Sequence, residues 1–78
     1  MTQEARRAFS VSALDEARPQ THQVEAGSLE DAAFEFVELW HPEPDAEGEV
    51  SVMVTDRETG QRQCFRIDLG SGDSAPCS

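Results

Sequence analysis

Seventy-eight residues with sixteen Asp and Glu against six basic side chains, a formal charge of -10, leave room for one small domain and no second module. A surface of that sign repels phosphate backbones and anionic lipid, which speaks against nucleic acid and membrane as partners and for a basic protein or a cation. No apolar run approaches the roughly 20 residues that span a bilayer, and the opening MTQEARRAFS lacks the apolar stretch of a signal peptide. A cytoplasmic protein is expected, with Cys64 and Cys77 as reduced thiols.

Residues 1–6 are polar and read as a disordered start, residues 7–69 as the folded domain, and residues 70–78, with two glycines and a proline, as a flexible tail. In RAFSVSAL, Phe9, Val11 and Ala13 alternate with Ala8, Ser10 and Ser12, which is the period of a strand with one buried face. Asp15 to Pro19 reads as a turn. Residues 20–26 allow a second short strand with Val24 inward, and His22 beside it is an edge residue rather than a ligand, because no second ligand is near in sequence.

The helix is the clearest element. Ser28 offers an N-cap with Asp31 three positions on, and Gly27 permits the bend before it. Leu29, Ala32, Ala33, Phe36, Val37 and Trp40 then fall on one apolar stripe, with Glu30, Asp31, Glu35 and Glu38 opposite. Pro42 disfavours helical geometry in the residue before it and so stops the helix. Phe34 breaks the pattern: it lies between Glu30 and Glu38 on the acidic side, where it is either covered by the chain's own tail or loops, or exposed for a partner.

The next two strands can be placed in register from the pattern alone. EVSVMVT puts Val50, Val52 and Val54 on one face, QCFRIDL does the same with Phe65, Ile67 and Leu69, and DRETG between them is a hairpin signal. A loop over Arg57 to Gly60 opposes Val52 to Phe65 and Val50 to Ile67, so both apolar sets share a face; any one-residue slip would separate them. Cys64 then meets Met53 on the outer face as a packing residue, with no histidine beside it to activate the thiol.

The connection HPEPDAEGEV resembles the opening of a calcium loop, with Glu43, Asp45 and Glu47 in alternate positions followed by Gly48. Position twelve of such a loop would be Val54, which has no carboxylate, and the residues after Gly48 read as strand. Glu43, Asp45 and Glu47 are therefore at most weak metal candidates, and a polar connection is the better reading. No phosphate-binding glycine loop, nucleophile elbow, zinc spacing or catalytic constellation occurs, so neither enzymatic activity nor a cofactor is expected.

The stretch SLEDAAFEFVELWHPEPDAEGEVSVMVTDRETGQRQCFRIDL, a Ser-capped helix ending in Trp-His-Pro and then a hairpin with a Cys-Phe strand, resembles small bacterial proteins, proteobacterial ones among them, of unknown function. That resemblance implies no activity. The expected architecture is α+β, one amphipathic helix across a small antiparallel sheet in the order ββαββ, or βαββ if residues 20–26 are loop. The expected function is a non-enzymatic protein-interaction module using Phe34, Glu30 and Glu38, whose partner is basic, or apolar with a basic rim. Cation binding through residues 43–47 and an accessory enzyme subunit are the alternatives. The chain is expected to be a monomer or a weak homodimer through a sheet edge.

Overall fold

The computed structural model describes residues 6–14 and 20–77. Its elements run β1 (Arg7–Ala13), β2 (Thr21–Ala26), α1 (Leu29–Trp40), β3 (Glu49–Asp56), β4 (Arg62–Asp68) and β5 (Ser74–Pro76). The strands form one antiparallel sheet in the order β2-β1-β3-β4-β5. This overturns the α+β reading in both its ββαββ and βαββ forms. The architecture is a β-rich five-stranded sheet carrying one short helix, and the difference lies in the last strand. The expected disordered start, apart from Arg6, and the Asp15 to Pro19 turn lie outside the described residues.

Alternation decides which side of the sheet is covered. Phe9, Val11 and Ala13 of β1, Val24 and Ala26 of β2, Val50, Val52 and Val54 of β3, and Phe65 and Ile67 of β4 are all buried against Ala32, Ala33 and Phe36 of α1. The β3–β4 register is the one the pattern demands, with Val52 opposite Phe65 and Val50 opposite Ile67. The helix begins where its cap requires: the Ser28 side-chain oxygen accepts from the Asp31 amide at 3.2 Å. It ends at His41, whose φ of 48° is left-handed and whose amide donates to the Val37 carbonyl at 3.0 Å. Such a backbone is uncommon outside glycine, and Pro42 prevents a further turn.

Two apolar residues depart from expectation. Trp40, placed in the core by its position on the stripe, is 41% exposed, and Leu69, placed inward beyond Ile67, is 40% exposed because the chain has already turned there. The stripe is correct in direction, but its last residue lies over the edge strand β2 and stays partly exposed. Trp40 rests instead against His22, ring centroids 4.4 Å apart, and against Phe36 at 5.7 Å.

Residues 70–78, expected to form a flexible tail, contain β5, which pairs Ser74 with Ile67, Ala75 with Arg66 and Pro76 with Phe65. The turn that brings it back repeats the preceding hairpin turn. At Asp56, the amide donates to the Gln61 carbonyl, the carbonyl accepts from Gly60, and Oδ1 accepts from the amides of Glu58 and Thr59. At Asp68, the amide donates to the Asp73 carbonyl, the carbonyl accepts from Gly72, and Oδ1 accepts from the amides of Gly70 and Ser71. Gly60 and Gly72 have φ near 80°, the left-handed position that each turn needs and that a side chain would strain. The cysteines are likewise not free thiols: Cys64 and Cys77 form a disulfide across β4 and the end of β5.

Candidate functional site

The acidic connection between α1 and β3 is built as a turn. Asp45 Oδ1 accepts from the amides of Glu47 at 2.9 Å and Glu49 at 3.0 Å, while its own amide donates to the Glu49 carbonyl at 2.8 Å. Those donors, Glu49 first and then Glu47, hold the Asp45 carboxyl below its ordinary value against the opposing effect of burial, and Arg66 adds to the lowering. Asp45 is thus a backbone cap, the role short acidic side chains take at turns. Glu43 and Glu47 are exposed on either side. Among the described residues no three His, Cys, Asp or Glu side chains stand close enough to hold one metal ion.

A second carboxylate went unnoticed in the sequence. Asp56 is only 2% exposed and pairs through Oδ2 with the Arg7 guanidinium at 3.0 Å. Arg7 also lies over the Phe9 ring, its guanidinium carbon 5.2 Å from the centroid, so the pair fastens the start of β1 to the end of β3. Its Nε is buried without a hydrogen bond, the nearest Glu58 oxygen standing 3.7 Å away. Burial pushes the Asp56 carboxyl up, but the amides of Glu58 and Thr59 and the charge and hydrogen bond of Arg7 together hold it below its ordinary value. A depressed carboxylate fixed on all sides is a structural tie rather than a general acid or base.

A shallow depression of about 260 Å³ lies near β5, lined by Glu49, Arg66, Asp68 and Ser74 among others. Arg66, the one basic residue lining it, is already paired with Glu49 at 2.7 Å, and Asp68 Oδ1 caps its own turn, which with Asp73 leaves the depression net acidic.

The helix surface holds the residues named from sequence. Glu30 and Glu38 are exposed, and Glu30 accepts a hydrogen bond from the Ser74 hydroxyl of β5. Phe34 is half-buried and packs against the core, so it is neither free in solvent nor part of the central cluster. The four-residue spacing of Glu30, Phe34 and Glu38 keeps them on one flank of α1. The residues that sequence reasoning missed are at the other end: Leu39, 59% exposed, adjoins Trp40. Leu39 follows Glu35 by four positions, so this apolar end also has carboxylates beside it. Leu39 lies off the apolar stripe, and that was the available signal.

Residues 7–78 match a family described as a family of unknown function (DUF5961). No curated protein and no solved structure shows a significant match to the chain.

Proposed function

The chain belongs to that family, which brings no activity with it, and from the chain's own surface we propose a non-enzymatic protein-interaction module that docks through the outward side of α1. The observation that carries the reading is the adjacent pair Leu39 and Trp40, exposed at the end of a helix whose Glu30, Asp31 and Glu38 are exposed too. Isolated exposed apolar residues are common, but Leu39 beside Glu35 and Glu38, with the exposed part of Trp40 next to it, on a chain of charge -10 favours a partner with an apolar contact and Arg or Lys around it. Phe34, half-buried against the core, is not free to anchor a partner as a whole side chain. The cation reading of Glu43, Asp45 and Glu47 has less support, because Asp45 Oδ1 already accepts two backbone hydrogen bonds.

The reading is tested with a synthetic amphipathic peptide carrying leucines on one face and arginines on its flanks. Titrating it into labelled protein should give saturable amide shifts confined to Glu35–His41, weakened by salt as expected for charged contacts. Leu39→Ser should reduce affinity about tenfold, whereas Thr55→Ala, on the uncovered face of the sheet, should leave it unchanged. Shifts spread over the whole chain, or equal binding by Leu39→Ser, would remove the helix end as the docking site.

A further inference from the structure

We propose that the Cys64–Cys77 disulfide is a latch that holds β5 on the edge of β4, and that its reduction lets two copies of the chain exchange β5. The strand is short, Ser74 to Pro76, and contributes nothing to the buried core; Ala75 and Pro76 are exposed and Ser74 is half-buried. Apolar burial therefore does little to keep it in place. What remains is the ladder to β4, the contact of the Ser74 hydroxyl with Glu30, the Cys77 amide donating to the Cys64 carbonyl at 3.1 Å, and the disulfide itself. Three-residue ladders are marginal without further support.

Removing β5 leaves an unprotected sheet edge. The Cys64 carbonyl and the Asp68 amide lose their partners, and Phe65 and Ile67 lose the neighbours opposite them. Bare edges of this kind pair with another extended segment. The segment that fits this one is β5 of a second copy, because the register, the backbone partners and the Ser74–Glu30 contact are the same whichever copy supplies them. The turn between Asp68 and Asp73, which contains Gly70 and Gly72, provides the hinge.

The chemistry needs a dithiol reductant. Its thiolate attacks one sulfur of the Cys64–Cys77 bond to give a mixed disulfide, and its second thiol displaces that bond. Two electrons and two protons pass to the cysteines as the reductant becomes a disulfide. Redocking within one chain competes with exchange, so the dimer forms at high protein concentration. Repulsion between two chains of charge -10 also opposes it, so salt favours it.

The test compares the oxidised chain, the chain reduced with dithiothreitol, and the variant Cys77→Ser. Circular dichroism should show all three folded, since the core lies outside β5. Amide exchange at Asp68 should accelerate on the order of a hundredfold after reduction, the scale of the loop-closure effect of a cross-link spanning thirteen positions. Light scattering should find the oxidised chain monomeric, and the reduced chain and Cys77→Ser dimerising with concentration. Reoxidising a mixture of labelled and unlabelled reduced chains at high concentration should yield Cys64–Cys77 peptides of mixed isotope. Unchanged protection at Asp68 overturns the latch. Released β5 with a monomer at every concentration, or reoxidised peptides that are never mixed, overturns the exchange.

Discussion

Phe36→Ala is expected to leave the chain largely unfolded at 25 °C. Phe36 is 1% exposed and belongs to the single core cluster between α1 and the sheet. Truncating such a ring costs about 3–5 kcal/mol through lost burial and the cavity left behind, and a domain this small has little more than that to lose. Trp40→Ala, although it removes the larger side chain, should cost only about 1–2 kcal/mol, because Trp40 is 41% exposed at the C-terminal end of the helix. Urea unfolding followed by circular dichroism checks both. Equal losses would mean that the helix sits further along the sheet than described.

The second large effect concerns the buried ion pair. The Asp56 carboxyl is held below its ordinary value of 3.8, so its contribution to stability is fully present above that pH and is lost as pH falls below it through the folded-state value. Acid should therefore loosen the β1–β3 junction. Asp56→Asn removes the charge facing Arg7 and disturbs the cap on the Glu58 and Thr59 amides, and it should lower the thermal midpoint by roughly 5–10 °C at neutral pH. The variant should also show a shallower loss of stability below pH 3.8 than the wild type. Thermal melts across that window decide the matter, and a variant with an unchanged acid slope would show that Asp56 is not the group responsible.

Much of this arrangement could be read without coordinates. Alternation in β1, β3 and β4 placed the buried faces, and the hairpin register followed from making those faces coincide. The same alternation also places the buried ion pair. Asp56 is in phase with Val50, Val52 and Val54, and Arg7 with Phe9 and Val11, so both partners of the buried pair stand on the covered face; only their charge argued otherwise. The fifth strand escaped because three residues ending in proline carry no periodicity. Its turn was nevertheless visible, since Asp68 and Gly72 repeat the spacing of Asp56 and Gly60. Extending the ladder from that turn brings Cys77 opposite Cys64, so the disulfide follows from the hairpin and the expectation of free thiols fails with the tail.

At the candidate site the position of Trp40 was wrong for a different reason. Helical spacing tells which way a side chain points around the axis, but not whether the partner layer extends that far along it. Trp40 ends over His22 of the edge strand β2, with no further strand beside it among the described residues, and that is a tertiary fact. Phe34, the exception to the stripe, is half-buried because it packs against the margin of the core cluster.

The docking role of α1 is tested most directly by placing a photo-cross-linking phenylalanine derivative at Leu39 in cells that naturally make the protein. The expected result is one dominant cross-linked protein, with basic residues around the linked position. It should be absent when the derivative stands at Thr55 on the uncovered sheet face, and lost when Glu35 and Glu38 are both changed to lysine. Cross-links from Leu39 that match those from Thr55, or that persist after the charge reversal, would contradict an acidic, apolar-centred docking surface at the end of the helix.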